Sequence, residues 1–138
     1  MSKAPEGELP DLLARLSLEV VGRLARLAAE EEMSLTQLRM LAILRDRRLR
    51  MAELATALGT DRSSTSGLIG RAERRGLVAR EQATDDKRGY TVSLSPEGHA
   101  FARRVEERTF ATLEPLLHHL GPSDRRAFTA LLTRVVEQ

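Results

Sequence analysis

Apolar residues recur at three- and four-residue steps near the start of the chain: Leu9, Leu13, Leu16, Val20, Leu24 and Leu27, with Leu12 beside them. That period sets them on one face of a long helix ending near Glu30, Glu31 and Glu32. Residues 1–8 lack the period and read as a loose tail. Ser34-Leu35-Thr36-Gln37 has the S-x-x-Q form of a capping box, which opens a second helix through Leu38, Leu41, Ile43 and Leu44. The polar run 45–50 closes it. Residues 51–58 predict a short helix ended by Gly59. Thr60 or Asp61 can cap the next helix, which lasts until Gly76.

Beyond Gly76 the periodicity changes. Two strand-like runs, 77–82 and 90–95, flank a charged loop with Asp85-Asp86-Lys87-Arg88-Gly89 at its tip. Val92 and Leu94 alternate with polar neighbours, as a half-buried hairpin requires. Ser95-Pro96-Glu97 reads as a cap, a first-turn proline and an acid matched to the helix dipole. The helix it starts uses Phe101, Val105, Thr109, Leu113 and Leu116, and Pro115 predicts a kink in it. Gly121-Pro122-Ser123 separates that helix from a last one carrying Phe128, Leu131, Leu132, Val135 and Val136. The elements predict one mostly α domain over residues 1–138. Its middle, residues 34–98, is a winged helix-turn-helix with a small β-hairpin wing. Helices over 9–32 and 96–137 flank it.

A helix-turn-helix followed by a basic hairpin is the plan of a DNA reader, with the helix in the major groove and the hairpin tip at the minor groove. The charge distribution agrees. Net charge is only +2, yet residues 36–90 hold 12 Lys or Arg against 7 Asp or Glu. The positive field therefore falls on the middle of the chain. Arginine makes up 20 of the 22 basic residues. A GC-rich genome accounts for much of that bias, while the planar guanidinium still suits phosphate and guanine edges.

On a helical wheel, Thr65, Leu68, Ile69 and Ala72 form the buried stripe of the recognition helix. The opposite face holds Ser63, Gly67, Gly70 and Arg74, flanked by Ser64, Ser66 and Arg71. The serines can donate to bases or phosphates, and Arg62, Arg71, Arg74 and Arg75 can reach phosphates or a guanine edge. The expected DNA-binding set is therefore Arg62, Ser63, Ser64, Thr65, Ser66, Gly67, Gly70, Arg71, Arg74 and Arg75, with Lys87 and Arg88 from the wing. Asp86 is expected to hold the wing by pairing with Arg80 or Arg75. The terminal helices carry more apolar residues than one small winged helix can cover. Leu13, Leu16, Val20, Leu131, Leu132 and Val135 are accordingly expected to meet a second copy of the chain.

Taken in order, these residues resemble the multiple-antibiotic-resistance-regulator (MarR) family. Residues 34–41 are similar to its capped second helix. Ala52-Glu53-Leu54-Ala55 with Leu58-Gly59 resembles its third helix and turn, and residues 71–80 its recognition-helix end and first wing strand. Asp86-Lys87-Arg88 resembles its Asp-x-Arg wing signature, and residues 92–98 its second wing strand and the start of the next helix. The resemblance implies a homodimer that binds double-stranded DNA as a repressor, and a small phenolic or aromatic-acid ligand that releases it. It also implies a minor-groove role for Arg88. A cytoplasmic location is expected from the lack of a long apolar run and of a charged-then-apolar signal sequence. The chain departs from the family at Gly67, where a larger side chain is usual, and at Ala72. With three Phe, one Tyr and no Trp, it has little aromatic material for a ligand pocket. The alternative is a ligand-independent architectural or nucleoid-type DNA-binding dimer.

Other chemistries find little footing. There is no cysteine, which removes disulfides, thiolate metal sites and thiol redox sensing. No Gly-rich phosphate loop or G-x-S-x-G elbow is present, so no enzyme is expected. His118 and His119 are sequence neighbours and point about 100° apart on a helix, unlike an i, i+4 metal pair. No metal, cofactor or membrane partner is expected, there being no run of about 18 apolar residues.

Overall fold

The computed structural model describes residues 7–83 and 89–138. Helix α1 (Glu8–Glu30) leads to α2 (Leu35–Leu44), strand β1 (Leu49–Arg50), α3 (Met51–Leu58) and α4 (Arg62–Arg74). Strands β2 (Val78–Gln82) and β3 (Tyr90–Leu94) form the wing, and α5 (Pro96–Leu113) and α6 (Pro122–Val136) complete the chain.

Local chemistry sets most boundaries. The Ser34 hydroxyl accepts from the Gln37 backbone N–H (3.1 Å) and the Gln37 carboxamide oxygen accepts from the Ser34 N–H (3.0 Å), so the capping box closes in both directions. Gly59 ends α3 with φ 67°, a left-handed turn that a side chain would disfavour. Asp61, rather than Thr60, caps α4.

Two expectations need correction. The polar run after α2 contains β1, whose Leu49 pairs with Val92 and Arg50 with Thr91. The sheet order is β1-β3-β2, all antiparallel. Two residues are too few to show a period, and Leu49 is pulled inward by the core it completes. Pro115 does more than kink a continuous helix. The α-helix ends at Leu113 and a 3₁₀ turn occupies Glu114–Leu117, because proline has no N–H for the α-helical bond and crowds the preceding turn.

The core sits where α2, α3, α4, α5 and the wing converge. Met40, Leu44, Leu54, Ile69 and Val92 are fully buried there. The join between wing and α5 depends on one glycine. The Gly98 N–H donates to the Ser95 hydroxyl (2.9 Å), which donates in turn to the Gly76 carbonyl (2.6 Å). A Cβ at Gly98 would stand 1.9 Å from the Leu77 carbonyl oxygen, inside backbone that cannot yield.

Candidate nucleic-acid interface

Helix α4 is anchored by its inner face. Thr65, Leu68, Ile69 and Ala72 are all buried. Asp61 accepts from the Ser64 N–H at 2.7 Å. That backbone bond, with help from the Ser64 side chain and the Ser63 N–H, holds the Asp61 carboxyl below its usual pKa despite a small opposing effect of burial.

Thr65 departs from its expected DNA-binding role. It is 0% exposed, and its hydroxyl bonds to the Asp61 carbonyl (2.8 Å) and the Thr60 hydroxyl (2.7 Å). A duplex cannot reach it. It fixes the turn and so positions the helix.

The outer face is built as the wheel implied. Arg62, Ser63, Ser64, Ser66, Arg71 and Arg74 are exposed, with Gly67 and Gly70 half-buried between them. Arg62, Arg71 and Arg74 join no side-chain hydrogen bond or ion pair among the described residues. Arg75 and Arg80 are committed elsewhere. Arg75 donates to the Glu32 carbonyl (3.3 Å) and lies over the Phe101 ring, 5.4 Å from its centroid. Arg80 pairs with Glu73 at 3.1 Å and stacks on Tyr90 at 4.6 Å. The suggested Asp86 partnership, with Lys87 and Arg88, lies outside the described residues.

Sequence reasoning missed Arg39. From α2 it donates to the carbonyls of Ala57 (3.1 Å) and Leu58 (3.4 Å) at the C-terminus of α3. A helix leaves its last carbonyls without intrahelical partners, and a cation there also suits the dipole. No sequence signal marks the pairing, because the partners lie 18 and 19 residues away.

Arg39 also lines an apolar cavity of about 560 Å³ between α1, α2 and α5, with Leu24, Leu38, Val105 and Phe110 on its walls. Arg45 and Glu106 pair across its wall at 2.7 Å. Outside the core, Leu13, Leu131 and Val135 are 49%, 59% and 53% exposed. Leu16 and Leu132 are also exposed and Val20 is half-buried. Among the described residues no helix is long and apolar enough to cross a membrane, and no three His, Cys, Asp or Glu stand close enough to hold a metal.

Fold and site together define a winged helix-turn-helix protein. Residues 32–89 match the MarR family model. Over 110 residues the chain is 28% identical to the uncharacterised HTH-type transcriptional regulator YfiV of Bacillus subtilis (strain 168), covering 77% of this chain and 69% of that one. It is also 28% identical to a putative transcriptional regulatory protein for the hcr operon of Thauera aromatica, over 65% of this chain and 54% of the relative. The apo form of Escherichia coli MarR superposes with a TM-score of 0.80 at 20% identity, covering 98% of each chain. NadR in complex with 4-hydroxyphenylacetate superposes with a TM-score of 0.71 at 21% identity, over 98% of this chain and 95% of that one. The middle of the chain is thus similar to the MarR family, and the relatives that it matches are named as transcriptional regulators.

Proposed function

We propose that this protein is a dimeric repressor that binds a pseudo-palindromic operator through α4 and the wing and is released by a small apolar acid. The exposed face of α4 carries the reading, since it holds three arginines without partners among the described residues, set between serines and glycines. A surface that keeps cations unpaired while neighbouring arginines are engaged is suited to phosphates and base edges. Arg62, Ser63, Ser64, Ser66, Arg71 and Arg74 make the contacts, while Arg75 acts from its place between Glu32 and Phe101. Lys87 and Arg88 reach the minor groove by the family resemblance. The uncovered leucines and valines of α1 and α6 pair two copies, spacing their recognition helices roughly 34–36 Å apart.

The cavity favours a ligand-gated regulator over an architectural protein. It is largely apolar, and its charged side chains among the described residues are Arg39, Arg45 and Glu106. Glu106 and Asp46 both pair with Arg45. The charge left on the lining is therefore that of Arg39, which donates to neutral carbonyls, and a monoanion with an apolar body fits. Phe110 is its one aromatic wall among the described residues, which suits a compact acid. The structural neighbour NadR was crystallised with 4-hydroxyphenylacetate, an acid of that kind.

Anisotropy titrations of the protein against duplexes selected from a random pool test both parts. Tight binding that weakens steeply with salt, and release by millimolar 4-hydroxyphenylacetate, are the expected results. Affinity for duplex DNA with no salt dependence would overturn the DNA reading. Tight salt-dependent binding unmoved by a panel of aromatic acids would leave the architectural reading in place.

A further inference from the structure

The glycines of the recognition helix carry an inference that rests on the DNA-binding reading above. Gly67 and Gly70 stand four residues before Arg71 and Arg74, and in a helix such pairs are neighbours on one surface. Helical side chains lean toward the N-terminus and cover the turn before their own Cα. Arg71 does so: its Nη1 and Nη2 lie 3.5 and 3.9 Å from where a Cβ at Gly67 would be. Arg74 repeats the arrangement, with Nη1 3.5 Å from the corresponding point at Gly70. Neither guanidinium has another partner among the described residues.

We propose that Gly67 and Gly70 are gaps filled by the guanidinium groups of Arg71 and Arg74, which thereby read the operator one turn nearer the helix N-terminus than their own Cα positions. The N-terminal part of a recognition helix is the part that meets base edges. An arginine displaced backward by a turn is moved from the phosphate flank toward the groove floor. There its fork can donate to two acceptors on one base, as on the O6 and N7 of guanine. The two arginines are three residues apart, about 4.5 Å along the axis, so they address two nearby base pairs. Position 67, empty of its own side chain, is thus served from position 71. This assigns the glycines a different purpose from close backbone approach to DNA. A methyl group at 67 would sit at ordinary contact distance from Arg71, whereas a branched side chain would take over the gap.

A double-mutant cycle on the selected operator decides between the two purposes. Gly67→Leu and Arg71→Ala should each lower the ratio of specific to non-specific affinity by about tenfold. The double variant should be no worse than Arg71→Ala alone, and Gly67→Ala should stay within about twofold of the parent. Circular dichroism and thermal melts confirm that each variant is folded, as expected for changes on the outer face of α4. Multiplicative losses in the double variant, or a loss in Gly67→Ala equal to that in Gly67→Leu, would overturn the pairing and leave close DNA approach as the reason for the glycine. If the parent shows no salt-dependent affinity for any duplex, the DNA-binding reading itself fails and the inference with it.

Discussion

The middle of this molecule and its ends bury their apolar residues very differently. In the winged helix-turn-helix, Met40, Leu54, Ile69 and Val92 are 0% exposed. In α6 not one residue is buried, and in α1 only Leu27 and Ala28 are. Both terminal helices are nonetheless well formed and amphipathic. A core that closes on itself specifies its own fold, whereas an apolar face left open specifies a partner. The two regions therefore answer to different constraints: the first is met within the chain, and on the proposed reading the second is met between copies.

The sharpest way to break that contrast is to charge the open faces. Replacing Leu16 and Leu132 with Glu should yield a monomer whose winged core still melts cooperatively. Its operator affinity should fall by on the order of 10²-fold or more, because each half-site then binds without the effective concentration supplied by its twin. Light scattering reads the first effect and anisotropy the second. A variant that remains dimeric would place the interface elsewhere.

Charging an open face spares the core, whereas one methyl group inside it should not. Gly98→Ala drives a Cβ into the Leu77 carbonyl, and neither α5 nor β2 can move without breaking the Ser95 bonds. A loss of about 3 kcal/mol is expected, read by urea denaturation. Unchanged stability would mean that the wing and α5 are not locked together there.

A smaller effect is expected for Arg39→Gln, which removes the cation from the end of α3. A charged hydrogen bond at a helix C-terminus contributes about 1 kcal/mol. Faster hydrogen exchange at Gly59 and Thr60, with exchange in α6 unchanged, would confine the effect to the core. Equal changes in both regions would show that the two are coupled.

These tests mirror what could be read from the residues. Periodicity and end signals together locate the α-helices, and the wheel gives the buried stripe of α4 residue by residue, because burial along a helix repeats with the helix. Capping chemistry sets the starts of α2 and α5 for the same reason: the signal and its effect lie within four residues. Contacts across the fold leave no such trace. Arg39 at the end of α3, Arg75 on Phe101 and Leu49 against Val92 join distant segments, and nothing local announces them. The wheel puts Thr65 on the inner stripe, yet its hydroxyl also suggests a DNA contact. Only its burial separates the two roles.

The smallest expected effect concerns Asp61, at the exposed start of α4. Its pKa is lowered in the folded state, chiefly by the Ser64 backbone N–H, so folding favours the carboxylate. Stability from the charged cap is therefore fully present above the unfolded pKa, near 3.8, and is lost as pH falls through the lower folded value. Asp61→Asn keeps an acceptor for the Ser64 N–H but carries no charge. The melting temperatures of parent and variant should differ by a constant amount between about pH 5 and 8. Below about pH 4 the difference should shrink as the parent's carboxylate is protonated. The dimer should be indifferent throughout, because Asp61 belongs to the winged region, whose core closes on itself, and not to the open faces of α1 and α6. A pH-independent difference down to the acid limit would mean that the cap acts through its geometry alone. A pH-dependent change in dimer dissociation that disappears in Asp61→Asn would tie the start of α4 to the interface and erase the boundary between the two regions.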